Sequence, residues 1–148
     1  MEKCYFKSSI GILEIVCKND ALVSLRLVES FAVSGVETDF IKNVKKQLGE
    51  YFLGERNSFD IKISYNGSDF QMKVWNELRK IPYGKKKSYS EIAAAIGKPN
   101  AQRAVGSACN KNPIMIIIPC HRVISKNGKL GGFAYGNDVK EKLLKLET

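Results

Sequence analysis

The sequence predicts an α+β protein in two parts: a small N-terminal α/β domain over residues 1–66, and a mainly helical C-terminal domain over residues 67–148 carrying a helix-turn-helix. Three observations predict it. Short β-rich segments crowd the first third of the 148-residue chain, helical periodicity dominates the second half, and charge divides between the two. Residues 1–69 hold 9 Lys and Arg against 10 Asp and Glu, net −1; residues 70–148 hold 15 against 5, net +10. A basic lobe beside a neutral one suggests that one half meets a polyanion. Lysines that only solubilise the surface are the alternative.

In the first part, Cys4 to Lys7, Leu13 to Cys17 and Leu22 to Leu27 are short and rich in β-branched or aromatic residues. Ser8-Ser9 and Lys18-Asn19-Asp20 supply hairpin turns between them. Asp39 to Leu53 places Phe40, Ile41, Val44, Leu48, Tyr51 and Phe52 on one helical face, with Gly54 as its stop. Ile61 to Ile63 is a candidate further strand, and Asn66-Gly67-Ser68-Asp69 marks the boundary.

In the second part, Phe70, Val74, Leu78 and Ile81 share a helical face that ends at Pro82-Tyr83-Gly84. Ser88-Tyr89-Ser90-Glu91 is a capping box, with Ser at the cap and Glu three residues on. It opens a short helix that Gly97 stops, and Asn100 is expected to cap a second one running to Asn110. Two short helices with a brief joint make a helix-turn-helix. The second helix offers Ala101, Ala104, Gly106 and Ser107 around one long side chain, Arg103. Such small residues admit either close approach to another surface or close helix packing. Ile114 to Ile118 is expected to be a strand buried on both faces and ended by Pro119. A glycine-rich loop, Gly128 to Gly136, and a closing helix, Val139 to Glu147, complete the chain.

Composition excludes several classes. With 44% hydrophobic and 26% charged residues, the chain can bury a core without staples. No run approaches the length of a membrane span, and the N-terminus does not read as a secretory signal. The four cysteines, Cys4, Cys17, Cys109 and Cys120, form no C-x-x-C pair and meet a single histidine, so no metal site is expected. Scattered thiols of this kind are expected to stay reduced in a cytoplasmic chain. Gly131-Gly132 alone is not a nucleotide fingerprint, so no cofactor is expected.

Pro119-Cys120-His121-Arg122 carries the chemistry. A nucleophilic cysteine reacts as thiolate, and an adjacent base or positive field promotes that form. His121 and Arg122 adjoin Cys120, and a turn at Pro119 would let thiol and imidazole share a pocket. A strand-end cysteine beside a satisfied histidine is the alternative reading. If His121 is a base, a carboxylate should orient its other ring nitrogen. Of the five acids in this half, Glu91 is engaged in the cap and Glu147 is the candidate; a plain salt-bridge carboxylate is its equal alternative.

The string Ile118-Pro119-Cys120-His121-Arg122-Val123 resembles the active-site motif of the O6-alkylguanine-DNA alkyltransferase family, and the similarity extends from about Phe70 to Glu147. The resemblance implies an RNase H-like N-terminal domain and a winged-helix type of helix-turn-helix. It implies that Cys120 accepts the alkyl group, that His121 takes the thiol proton through a water, and that Glu147 polarises His121. It implies that Asn112 braces the active-site turn and that Tyr89 donates toward N3 of an extruded guanine. Arg103 would fill the gap left in the duplex, with Ala101, Ala104, Gly106, Ser107 and Arg122 also on the DNA side. Val123, Phe133, Ala134 and Tyr135 would line the pocket. The implied partner is double-stranded DNA containing O6-alkylguanine, with O4-methylthymine a further candidate substrate, handled once by a monomer. Tyr135 stands where relatives carry glycine or a bulky aromatic, which implies a narrower pocket. The rival readings are a winged-helix binder of alkylated DNA without catalysis, and a thiol hydrolase.

Overall fold

Alternating apolar residues and two tight turns make the first sheet. β1 (Glu2–Ser8), β2 (Gly11–Lys18) and β3 (Ala21–Val28) form an antiparallel sheet in chain order. Ser8 pairs with Gly11, so the first turn is Ser9-Ile10, one residue later than the sequence suggests. Asn19 and Asp20 both have positive φ, 52° and 55°, as the two-residue turn of a right-twisted hairpin requires. α1 (Asp39–Phe52) is capped by the Thr38 hydroxyl and buries Ile41, Val44, Leu48 and Tyr51. It ends in a Schellman motif: Gly54 (φ 77°) and Glu55 donate back to Tyr51 and Glu50.

The coordinates, a computed structural model, describe all 148 residues, which divide into two compact units. One is Met1–Tyr65 with Pro113–Met115; the other is Asn66–Asn112 with Ile116–Thr148. In the first unit, Ile63 and Ile114 each make a single parallel bridge, to Leu22 and Leu25. Ile61 to Ile63 is therefore a point of pairing and not a strand.

The second unit is built from capped helices. α2 (Asp69–Leu78) opens on a capping box between Ser68 and Gln71, and α3 (Tyr89–Ala95) on one between Ser88 and Glu91. α3 ends in another Schellman motif through Gly97 (φ 78°) and Lys98. α4 (Gln102–Asn110) follows after a turn in which the Ala101 amide donates to the Lys98 carbonyl. The expected Asn100 cap is not formed: Pro99 and Asn100 occupy the centre of that turn, and Ala101 stands at the cap position without a side-chain bond. Pro99 fixes φ for the turn, which takes Asn100 out of the helix start. The Trp75 indole donates to the Ala108 carbonyl at 2.9 Å, tying α2 to α4.

The buried strand expected at Ile114 to Ile118 is a loop. Ile114, Met115, Ile116 and Ile118 are buried, but only Ile114 bridges a strand, and Ile116 has φ 73°. An apolar run signals burial without fixing a ladder, and a β-branched residue at positive φ breaks any continuous one. After this loop come a single 3-10 turn, Cys120–Arg122, and β5 (Val123–Ile124). β5 pairs in parallel with β4 (Lys87–Ser88), which leads directly into α3. α5 (Asn137–Leu146) closes the unit. No helix is long and apolar enough to cross a membrane.

Candidate active site

The pairing of β4 with β5 determines what meets at the site. Val123 and Ile124 follow the Cys120–Arg122 turn, and Lys87 and Ser88 precede Tyr89, so two residues of parallel ladder bring the start of α3 beside that turn. The turn is short because Pro119 precedes it; the Cys120 amide donates to the Ile118 carbonyl, and the Arg122 amide to the Pro119 carbonyl.

Cys120 is buried, and its sulfur accepts from the Asn112 side-chain amide at 3.1 Å. The same Asn112 nitrogen donates to the Ile118 carbonyl at 2.7 Å, bracing the entry of the turn on either side of Pro119. His121 has no exposed surface, and its Nε2 lies 2.7 Å from a Glu147 carboxylate oxygen. Arg122 donates to both Glu147 oxygens, at 2.8 and 3.0 Å, and to the Ile81 carbonyl at 2.7 Å. Such a two-pronged bond supplies the countercharge that a buried carboxylate needs. Arg122, placed on the DNA side by the sequence reading, is thus turned inward as the buried partner of Glu147.

The electrostatics describe a neutral resting pair. Burial pushes the Cys120 thiol above its ordinary range, although the Asn112 bond and the charge of Lys140 oppose the shift. Burial pushes His121 below its ordinary value and outweighs the pull of Glu147. A carboxylate can only accept, so a neutral His121 carries its proton on Nε2. Nδ1 then holds a lone pair, and it is buried without a protein partner. The adjacent positive field expected to ionise the thiol at rest does not outweigh desolvation.

An open cleft of about 480 Å³ is lined by Tyr89, Gln102, Arg103, Gly106, Ser107, Asn110 and Gly132; Tyr89 in its wall is within electrostatic reach of Cys120, whose own side chain does not line it. α4 buries Val105, Ala108 and Cys109 and exposes Arg103, Ala104 and Ser107; Ala101 and Gly106 are half-buried. Its small residues therefore lie largely on an open face and are not consumed by helix packing. Val123 is buried in β5, Ala134 is exposed, and the rings of Phe133 and Tyr135 meet edge to face at 5.7 Å.

The 6-O-methylguanine DNA methyltransferase family matches along nearly the whole chain: its ribonuclease-like domain over residues 1–65 and its DNA binding domain over residues 69–148. The chain belongs to this family. A methylated-DNA–protein-cysteine methyltransferase of Methanosarcina barkeri is 48% identical over 95% of this chain and 93% of its own length. One of Methanosarcina acetivorans is 57% identical over 74% of this chain and 70% of its own. Among solved structures, Mycobacterium tuberculosis OGT in complex with DNA superposes with a TM-score of 0.88 at 42% identity, covering 97% of this chain and 90% of that one.

One residue of the site escaped the sequence. Lys140, in α5, is fully buried, with its ammonium on the Leu130 and Gly132 carbonyls and near the Tyr89 hydroxyl. The signal was available: Lys140, Leu143, Leu144 and Glu147 recur at helical spacing, so the apolar stripe of the last helix runs from one charged residue to another.

Proposed function

We propose that this chain repairs DNA by transferring the alkyl group from O6 of an everted guanine to Sγ of its own Cys120, once per molecule. The observation that carries this reading is the buried Cys120–His121–Glu147 arrangement, in the same unit as a helix whose small-residue face is open to solvent. A base stacked in a duplex cannot reach a buried sulfur, so the nucleotide must rotate out, at a cost of a few kcal/mol. Arg103, exposed on α4, is the side chain placed to enter the duplex behind it. Ala101, Ala104, Gly106 and Ser107 let α4 approach a minor groove only about 6 Å wide.

In the reaction, His121 Nδ1 takes the thiol proton through a bridging water while Nε2–H remains on Glu147. Glu147 with Arg122 stabilises the imidazolium so formed. The thiolate attacks the alkyl carbon in line, the S–C bond forms, and the C–O6 bond breaks. Its electron pair leaves on guanine, which takes up one proton at N1 from solvent, while the His121 imidazolium returns the thiol's proton to solvent, so the protons balance. Tyr89 and a loop amide near Ala134 stabilise the developing charge, as an oxyanion hole does elsewhere. Val123, Phe133 and Tyr135 shape the pocket, and Asn112 holds the sulfur. The thioether has no ready leaving group, so the protein is consumed. Residues 67–148 carry this chemistry and residues 1–66 form the companion domain. On this reading the protein acts as a monomer in the cytoplasm.

Turnover with excess O6-methylguanine duplex tests the reading against its rivals. Repair predicts that loss of lesion stops at one equivalent per chain. Binding with the lesion left intact identifies a non-catalytic binder, and continued turnover identifies a hydrolase.

A further inference from the structure

Lys140 is a long cationic side chain with no exposed surface, and burying an ammonium is costly unless acceptors surround it. Its nitrogen donates to the Leu130 carbonyl, to the Gly132 carbonyl at 3.1 Å, and toward the Tyr89 hydroxyl oxygen at 3.4 Å. It also sits 5.6 Å from the centre of the Tyr89 ring. Tyr89 donates its own proton to the same Gly132 carbonyl, at 3.2 Å. The loop backbone is pressed on the ring: Gly131 has φ 71°, and a Cβ there would lie 3.0 Å from a Tyr89 ring carbon. Loop, phenol and ammonium therefore form one closed unit.

An ammonium has three donors and no acceptor. Where Lys140 donates to the phenol, Tyr89 must accept with its oxygen, and its hydroxyl proton is forced to point elsewhere. The Gly132 carbonyl has two lone pairs, and Lys140 occupies one of them throughout. When Tyr89 turns its proton from Gly132 to an incoming base, the carbonyl remains satisfied and the loop remains closed. Burial pushes the Tyr89 phenol up to about 12, so unaided it is a poor donor to a developing anion. A cation on its oxygen opposes that effect.

We propose that Lys140 is a positioning residue for Tyr89: it holds the Leu130–Gly132 loop shut and frees the Tyr89 hydroxyl proton for the substrate. This rests on the alkyl-transfer reading above. It adds that a residue not needed to touch the substrate sets the rate through a second side chain.

The test is a double-mutant cycle on single-turnover transfer from O6-methylguanine duplex at saturating protein, using Lys140→Met, Tyr89→Phe and the double variant. Removing a direct charge-stabilising donor costs about 100- to 1,000-fold, so an indirect one should cost about 10- to 100-fold. Lys140→Met should show that loss in wild-type background with duplex affinity little changed. In the Tyr89→Phe background it should cost under about threefold, because its target is gone. Lys140→Arg, which can donate to the same oxygens, should recover most of the rate. Equal losses in both backgrounds, or transfer by Lys140→Met at the wild-type rate, would overturn the proposal. If Lys140→Met proves too unstable to assay, Lys140→Arg and Lys140→Gln decide: Gln slow with Arg fast supports it, and equal rates overturn it. Failure of the wild-type chain to transfer at all would instead count against the function proposed above.

Discussion

Glu14 and Glu147 are both buried carboxylates bonded to an arginine, one in each unit of the chain. Glu14, in β2, accepts from Arg26 at 2.9 Å and from the Tyr5 hydroxyl at 3.2 Å, with Lys3 at 3.9 Å. The side chains of Arg26 and Lys3 are about half exposed, at 56% and 46%. Glu147 accepts from Arg122 and His121, and both are shut away from solvent. Exposed partners make a screened pair that contributes little beyond local order. Buried partners make a unit in which a change of charge at one member is felt by the others. The difference lies less in the acids than in what stands behind them. Behind Glu14 stand the Tyr5 phenol and two half-exposed cations; behind Glu147 is an imidazole whose far nitrogen has no protein partner.

Replacing each acid should separate the two most strongly. In the proposed mechanism Glu147→Gln removes the carboxylate that stabilises the imidazolium, and should slow single-turnover transfer by about 100- to 10,000-fold, the range for a general base. It also leaves Arg122 buried without a countercharge, at a cost of about 3–5 kcal/mol in a denaturant melt. Glu14→Gln should leave transfer within about twofold and cost about 0.2–1 kcal/mol. Transfer by Glu147→Gln within about threefold of wild type would erase the distinction.

Arg103→Ala probes the DNA side of the same unit. It should slow repair of O6-methylguanine in duplex by about 10- to 100-fold, since eversion costs a few kcal/mol. Transfer from free O6-benzylguanine, which needs no eversion, should change far less. Matched losses on the two substrates would remove the role of Arg103 in the duplex.

Acid should sharpen the contrast by acting on the two clusters in different windows. His121 titrates below its ordinary 6.5, so as pH falls through 6.5 the unfolded chain takes a proton that the folded chain refuses. Stability is then lost from that point downward. For Glu14, burial raises the carboxyl, but Arg26 and Tyr5 outweigh it and hold it below 4.5; its contribution is present above 4.5 and lost as pH falls below. Denaturant melts across pH 3–8 should show two losses, the upper one absent in His121→Gln and the lower one reduced in Glu14→Gln, the remainder including Glu91, whose carboxyl the Ser88 amide also holds low.

Much of this was legible in the chain. The capping box at Ser88 and the turn at Asn19-Asp20 use local chemistry that a sequence displays, whereas Asn112, Cys120, His121 and Glu147 were read together through the motif that the chain resembles. Three features were not. The Ile114–Ile118 loop hides because apolar runs report burial and not backbone path. The inward turn of Arg122 hides because its neighbour Glu147 is distant in sequence. Lys140 hides because a lysine is expected in water, and only its place on the stripe with Leu143 and Glu147 gives it away. For Arg122 and Lys140 the common reason is long-range pairing of buried charged groups.

The smallest expected effect concerns the pocket wall. If Tyr135 narrows it, O6-benzylguanine in duplex should react more slowly than O6-methylguanine, by about 10-fold or less for a difference confined to fit. Tyr135→Gly should close that gap.

The most direct measurement follows the alkyl group itself. After reaction with O6-methylguanine duplex, the tryptic peptide from Asn112 to Arg122 should be heavier by one methylene, fragmentation should place it on Cys120, and the peptides of Cys4, Cys17 and Cys109 should be unchanged. A cleared lesion with Cys120 unmodified, or repair by Cys120→Ser, would contradict the account.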